Sequence, residues 1–249
     1  MRNVQNFEEE KFYLGQESDY LRVYDIISKM PNFILYETKK ENYQDYFYDT
    51  PNKFLKRNRA TVRLRKEENR QTLSIKYTSS NALMEEKVRE AYFDMPMDTD
   101  LLNCREAMLF LSNKINDIYA QRLDIDTVRV LRDLKVYLVI YTERTIHKLK
   151  NNKELKINVK FDKCYYQSKF NKGSDDVVKF ELENYPDTLN RKIFDDFISN
   201  VNRKVYFVHD NESKFEAGSR ILNYDRFNTK LAEENVEEEE KDKQEKNKS

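Results

Sequence analysis

Apolar and polar residues alternate along much of this chain, in short runs rich in β-branched and aromatic residues. Alternation with a period of two is typical of β-strands that bury one face. The runs that predict strands are KFYL, QDYFYD, ATVRLR, TLSIKY, KVREAYFDM, VYLVIYTERTIHKL, ELKINVKFD, VVKFELENY and KVYFV. Helical spacing of apolar residues occurs in SDYLRVYDIISKM, DTDLLNCREAMLFLSNKINDIY and PDTLNRKIFDDFISNVNRK. The pattern predicts an α+β domain dominated by a large antiparallel sheet or a closed barrel.

The apolar pattern ends after Tyr224, and the remaining residues are mostly charged. We therefore predict one domain over residues 1–225 and a charged, disordered tail over residues 226–249. Lys and Arg together number 45, as do Asp and Glu, and the acidic tail leaves the domain only mildly basic. This charge is too small for a general nucleic-acid binder, so anion binding would need local clusters of basic residues.

The N-terminal segment MRNVQNFEEEKFYL lacks the basic and then apolar pattern of a signal peptide, and the sequence has no long apolar run. Cys104 and Cys164 are isolated thiols that do not suggest a disulfide framework. These features predict a cytoplasmic protein in a reducing compartment, with no membrane span. His147 and His209 lack the spacing of a metal site or a catalytic pair, so structural or surface roles are expected for both.

Basic residues cluster on one face of the predicted strands. In RATVRLR, Arg63 and Arg65 alternate with apolar residues, and Lys76 and Arg89 follow on the next two strands. The commonest explanation of such a pattern is an antiparallel sheet with one wet face. Like charges on neighbouring strands repel, however, and a pair about 4 Å apart costs about 4 kcal/mol at an effective dielectric near 20. A bound polyanion, such as a phosphate chain, would compensate that repulsion.

Two carboxylates, Glu181 and Glu183, share one face of another strand. Bound phosphates would repel them unless a divalent cation lay between. Mg²⁺ binds a few carboxylates together with phosphate oxygens and water, so the pair is a candidate metal site.

Several short segments together resemble one known superfamily. They are EEKFYL, YFYDTPN, RATVRLR followed by TLSIK, VREAYFDMP, TERT, KFD, FELE and ESKF. In this order and spacing they resemble the triphosphate tunnel metalloenzymes, whose CYTH domain is named after bacterial adenylate cyclase and thiamine triphosphatase. The resemblance covers nearly the whole chain before the tail.

The resemblance implies an α+β fold in which a closed eight-stranded antiparallel β-tunnel with flanking helices binds a triphosphate and Mg²⁺ or Mn²⁺. It implies phosphate-binding roles for Lys11, Arg63, Arg65, Lys76, Arg89, Arg144 and Lys214, with Arg89 the least clearly matched. The metal ligands it implies are Glu9, Glu181, Glu183 and Asp162. Direct catalytic roles fall on Asp162, Lys76 and Arg144.

Two acidic positions depart from the family pattern. The first Glu of the family falls on Phe7, and Glu8 and Glu10 have the wrong parity unless a β-bulge precedes Lys11. On the VREAY strand the usual inward Glu falls on Ala91, with Glu90 one residue out of phase. The basic set is therefore complete while the acidic set is thinned.

The function that follows is a divalent-metal-dependent phosphohydrolase acting on a linear triphosphate, either inorganic tripolyphosphate or the triphosphate of a nucleotide, RNA or other carrier. Nucleic acid is expected only as a 5′-triphosphate end, since the domain is only mildly basic. Phe7 and Ala91 motivate an alternative, a non-catalytic triphosphate- or polyphosphate-binding module. Other activities of the superfamily, namely RNA 5′-triphosphatase, polyphosphate polymerase and adenylate cyclase, stay open. So does a plain β-scaffold with wet charged faces.

Overall fold

Nine strands form one antiparallel sheet in a computed structural model, which describes residues 8–14, 17–80, 86–119, 126–151, 156–168, 177–184, 188–205, 208–209 and 212–221. The order across the sheet is β5-β4-β3-β2-β6-β7-β8-β1-β9. The strands are β1 (Glu8–Leu14), β2 (Phe33–Asp49), β3 (Ala60–Glu67), β4 (Arg70–Ser80), β5 (Glu86–Met95), β6 (Lys135–Asn151), β7 (Lys156–Ser168), β8 (Val177–Asn184) and β9 (Val208–His209).

Six α-helices accompany the sheet in the described part of the chain. They are α1 (Glu17–Ser28), α2 (Phe54–Arg57), α3 (Arg105–Tyr119), α4 (Thr127–Arg132), α5 (Thr188–Asn202) and α6 (Lys214–Ile221). The predicted helical segments correspond to α1, α3 and α5. The other three have eight residues or fewer, too few turns for a periodic pattern to stand out. None of the described helices is long and apolar enough to cross a membrane.

The antiparallel sheet and its flanking helices confirm the predicted α+β class, but the closed eight-stranded tunnel is corrected. Within the described residues the sheet has nine strands and no backbone ladder joins β5 to β9, so it is open. The short β9 pairs with β1 through Phe12↔His209 and Tyr13↔Val208. It thereby occupies part of the β1 edge that a closing strand would need. The predicted tail lies outside the described residues.

One face of the sheet, called here the helical face, packs against helices. Its larger core joins α2, α3 and α4 to β3, β4 and β5 through buried side chains that include Val62, Leu64, Leu73, Ile75 and Leu111. A second core joins α1 and α5 to β6 and β7. The alternation predicted for RATVRLR and TLSIKY thus has its expected cause, since each strand turns its apolar residues toward helices.

The opposite face, called here the charged face, bears Arg63, Arg65, Arg144 and Asp162, and α6 packs on it. Phe215 of α6 contacts Phe47 of β2, with ring centroids 5.3 Å apart. Gly218 lets the helix come close, because a Cβ there would lie 2.7 Å from Leu138 Cδ2 and 2.8 Å from Tyr166 Cδ1. This contact holds the first residue of α6, Lys214, beside the charged cluster.

His147 lies buried between α1 and the helical face. Its Nδ1 is 3.0 Å from the Thr38 hydroxyl and its Nε2 is 3.3 Å from the Tyr20 hydroxyl. The rings of Tyr24 and Phe161 pack against it at centroid distances of 4.9 and 5.6 Å. The predicted structural role of His147 agrees with this packing.

Acid should lower the free energy of unfolding because His147 is buried. Burial lowers its pKa from the ordinary 6.5, so at a pH below that value the unfolded chain takes up a proton that the folded protein resists. The free energy of unfolding should therefore fall between about pH 7.5 and about pH 5.5. Urea denaturation across this range measures it, and His147→Gln should show a flatter dependence. An equally steep fall in that variant would exclude His147 as the cause.

Candidate anion-binding site

Cross-strand pairing assembles the charged face from β2, β3, β6 and β7. Asp45 of β2 lies opposite Arg65 of β3, and Arg144 of β6 lies opposite Asp162 of β7. Tyr43 is two residues before Asp45 on the same face of β2. The register therefore places two acid–arginine pairs on the two sides of one tyrosine.

The first pair is a fork between Arg65 and Asp45. Arg65 Nε and Nη2 donate to the two carboxylate oxygens of Asp45 at 2.7 and 2.8 Å, and Arg63 Nε lies 4.0 Å from the same carboxylate. Asp45 is fully buried. Burial alone would raise its pKa, but the positive charges of Arg63 and Arg65 outweigh burial and lower it. Asp45 is therefore an anion that holds two arginines in place.

The second pair has the same form and a third member from α6. Arg144 Nε and Nη2 donate to Asp162 at 2.6 and 2.7 Å, and Lys214 Nζ also donates to Asp162. Burial would raise the pKa of Asp162, and the Lys214 and Arg144 charges lower it well below its usual range. Both Asp162 oxygens thus contact cations. These contacts favour a role in positioning Arg144 and Lys214 over the metal-ligand role inferred from the sequence.

Tyr43 lies between the two clusters. Its ring centroid is 3.9 Å from the Arg65 guanidinium carbon, 5.4 Å from that of Arg144 and 5.3 Å from Lys214 Nζ. Its hydroxyl accepts a hydrogen bond from Lys214 at 3.0 Å and donates one to Asp162 at 3.5 Å. Burial raises the pKa of Tyr43, so the phenol stays neutral. The ring of Tyr43 thus makes cation–π contacts with three positively charged side chains.

Glu90 corrects the interpretation of β5. It lies opposite Lys76, and its carboxylate accepts hydrogen bonds from Arg63 at 3.1 Å and from the Tyr92 hydroxyl at 2.8 Å. Ala91 instead packs in the core of the helical face. The predicted phase of this strand was therefore wrong by one residue, because Ala91 alternates with the apolar set and Glu90 with the charged set.

Lys76 and Arg89 differ in their positions. Burial raises the pKa of Glu90, but the charge of Arg63 and its hydrogen bonds lower it overall. Lys76 is exposed, and its charge adds a smaller lowering effect. Arg89 lies opposite Tyr77, which packs against the core of the helical face. The register thus places Arg89 on the face away from Glu90, and the side chain of Arg89 lies outside the described residues.

Three of the four predicted metal ligands, Glu9, Glu181 and Glu183, occupy adjoining positions on β1 and β8. Glu9 lies opposite Glu183, and Lys11 lies opposite Glu181, in a register that runs without a shift from Glu8 to Leu14. The β-bulge considered for this strand is therefore absent from its described backbone. The side chains of these four residues, and Phe7 as a whole, lie outside the described part. Among the described side chains no three His, Cys, Asp or Glu residues form a metal-binding group.

The YFYDTPN segment has a local structural task. Asp49 accepts hydrogen bonds from the backbone N–H groups of Thr50, Leu55 and Lys56 at 2.7, 2.9 and 3.1 Å. These bonds tie the end of β2 to the short helix α2. The segment therefore shapes the β2–β3 connection, which sets the register of Asp45 opposite Arg65.

Sequence reasoning missed Tyr43, Asp45 and the in-phase Glu90. QDYFYD predicts a strand with large residues on both faces. Its alternation therefore does not show whether Asp45 is buried or exposed. Only the pairing of β2 with β3 shows that Asp45 faces Arg65. The one available signal for Glu90 was the alternation of Ala91 with Phe93.

Comparison with known proteins gives a consistent assignment. A family model of the CYTH domain matches residues 21–245. No curated protein sequence matches the chain.

Two solved structures resemble this fold over most of their lengths. One is a putative adenylyl cyclase from Hippeastrum with a reported dominant triphosphatase activity, at 14% identity and a TM-score of 0.54, covering 86% of this chain and 96% of that chain. The other is a putative adenylate cyclase from Bacillus halodurans, at 14% identity and a TM-score of 0.53, covering 86% of this chain and 97% of that chain. At this identity the likeness shows a common fold.

Proposed function

The chain belongs to the CYTH domain family, and on that premise we propose that it is a divalent-metal-dependent phosphohydrolase that cleaves a linear triphosphate. The observation that supports this most directly is the pair of cation clusters around Tyr43. Their arginines lie on strands, Lys214 lies on α6, and both clusters are held by buried carboxylates. Side chains fixed in this way can bind anionic oxygens with little reorganisation.

Charge on this face favours a polyanion. Around Tyr43 the described cations Arg63, Arg65, Arg144 and Lys214 form ion pairs with the carboxylates Asp45, Glu90 and Asp162. These four cations exceed the three carboxylates by one, and the fork with Asp45 uses only part of the donor capacity of Arg65. A guanidinium has five N–H donors, and each carboxylate fork takes two. Arginine also binds phosphate oxygens in a bidentate manner, so a phosphate chain suits the face.

The carboxylates of β1 and β8 fit a divalent cation. Glu9 and Glu183 are direct partners in the ladder, and like charges in that arrangement destabilise a sheet unless a cation compensates them. We assign Mg²⁺ or Mn²⁺ to Glu9, Glu181 and Glu183. When bound, the metal would neutralise phosphate charge and lower the pKa of a coordinated water.

The chain's own residues supply binding and charge stabilisation. Four side chains bind the non-bridging oxygens of the triphosphate, namely Arg63, Arg65, Arg144 and Lys214. Their positive charges also stabilise the negative charge of the phosphoryl group as it transfers to water. Lys76, exposed beside Glu90, is assigned to the terminal phosphate. Lys11 lies opposite Glu181 in the ladder and is also assigned to the phosphate chain.

Two substrates fit this description equally, inorganic tripolyphosphate and a triphosphate carried by a nucleotide, RNA end or other organic group. The binding-only alternative depended on Phe7 and Ala91, and the in-phase Glu90 removes the second of these reasons. Turnover is therefore favoured over binding alone.

Phosphate release tests the proposal directly. Purified protein incubated with tripolyphosphate or nucleoside triphosphates and Mg²⁺ or Mn²⁺ should release phosphate, and Glu183→Ala should reduce the rate by about 100-fold or more. Glu183→Ala should also weaken Mn²⁺ binding in calorimetry. Glu143→Ala is the matched control, since Glu143 is exposed on the other face of β6. No release with any substrate, or release unchanged by Glu183→Ala, would refute hydrolysis at this site.

A further inference from the structure

Resting on the proposed function, we infer that Asp45 is a positioning residue, which holds Arg65 and Arg63 in the orientation needed for phosphoryl transfer. Asp45 does not contact the substrate in this assignment. It acts through the two arginines, and its negative charge lowers the affinity of the charged face for phosphate.

Arg65 is restrained on two sides. Asp45 grips one edge of the guanidinium through Nε and Nη2, and the ring of Tyr43 lies 3.9 Å from the guanidinium carbon. An edge contact and a face contact together leave the planar group no free rotation. The restraint directs the Nη1 edge, which the fork does not use, along one line.

The burial of Asp45 indicates that this carboxylate does more than neutralise the charge of Arg65. Asp45 is fully buried, whereas the Arg65 side chain keeps 20% of its surface exposed. At the surface, Arg70 Nε and Nη2 both donate to one oxygen of Asp94, at 3.1 and 2.6 Å, and the Asp94 side chain is 65% exposed. Solvent screens the surface pair, and such pairs contribute little. The buried fork is shielded from water, so its effect on Arg65 is larger.

A carboxylate placed behind phosphate-binding arginines has opposite effects on binding and on rate. Removing its charge raises the positive potential of the site, which strengthens ground-state binding of a polyanion. Removing the fork also frees Arg65 to rotate, which loses alignment in the transition state. Loss of Asp45 should therefore lower kcat while KM stays the same or falls. A residue needed only for folding would not produce this split.

The kinetic test compares Asp45→Asn with Asp94→Asn as the surface control. With tripolyphosphate and metal, Asp45→Asn should lower kcat about 10- to 100-fold without raising KM. Asp94→Asn should change neither constant by more than about 2-fold. Asp45→Glu keeps the charge but displaces the carboxylate, so it should also lower kcat, and it serves if Asp45→Asn does not fold. An unchanged kcat in a folded Asp45 variant would overturn the inference.

A binding cycle keeps the inference testable whether or not the protein turns over its substrate. Calorimetry with tripolyphosphate and no added metal compares Arg65→Lys in the wild-type and Asp45→Asn backgrounds. Arg65→Lys should weaken binding about 10-fold in the wild type, and less than about 3-fold once the fork is lost. Equal losses in both backgrounds would show that Asp45 does not act through Arg65. Absence of turnover in the wild type would refute the hydrolase proposal alone.

Discussion

Replacing Asp162 with alanine should lower the free energy of unfolding by about 3–5 kcal/mol, because it leaves buried cations without their counter-ion. Arg144 and Lys214 have side chains only 11% and 10% exposed, and both donate to Asp162. Lys214 also anchors the first turn of α6, so its release should loosen the helix from the charged face. Urea denaturation of the variant and the wild type measures the difference.

The pH dependence identifies the source of this loss. The pKa of Asp162 in the folded protein lies below the ordinary value of 3.8, so its contribution is present above that pH and is lost as pH falls below it. The difference between wild type and Asp162→Ala should therefore shrink in acid. Asp94→Ala removes a solvent-exposed partner of Arg70 and should cost less than about 1 kcal/mol. An Asp162→Ala loss as small as that of Asp94→Ala would contradict the assigned ion pairs.

Replacing Arg65 with alanine should weaken tripolyphosphate binding by roughly 100-fold. Charge-assisted hydrogen bonds contribute about 1.5–3 kcal/mol each, and about 1.4 kcal/mol corresponds to a factor of ten. The variant also removes the guanidinium that pairs with the buried Asp45. The negative charge of Asp45, no longer neutralised by Arg65, would repel phosphate. Both effects act in the same direction, which makes this the largest expected change in affinity.

Calorimetry with tripolyphosphate measures the Arg65→Ala effect, with Arg70→Ala as the control. Arg70 lies at the start of β4, and its side chain is 43% exposed. Its removal should change the affinity by no more than about 3-fold. If Arg65→Ala binds tripolyphosphate as tightly as Arg70→Ala does, the anion site lies elsewhere on the protein.

The internal carboxylates alter how the basic strands are explained. The sequence suggested that the basic residues of neighbouring strands, Arg63 and Arg65 on one strand and Lys76 and Arg89 on the next two, repel one another unless a bound polyanion lies between them. Asp45 and Glu90 supply part of that compensation within the protein. The argument for a polyanion therefore rests on the two cation clusters around Tyr43, and no longer on repulsion alone.

The faces of single strands were predictable because alternation depends only on local geometry. Val62 and Leu64 face helices, and Arg63 and Arg65 face the other way, as parity requires. The same rule holds for Ala91 and Glu90, where the family pattern, preferred to the apolar alternation of the strand itself, gave the wrong phase. Local physical chemistry was the better guide at that position.

The sequence alone thus determined the α+β class, the long helices, most strands and the basic residues on them, because these follow from spacing within short segments. Tertiary structure alone decided which residues meet. The fork of Asp45 with Arg65, the three cations around Tyr43 and the docking of Lys214 beside Asp162 join residues 20 to 171 positions apart. Contacts of that kind depend on strand register and helix packing, which no local pattern encodes.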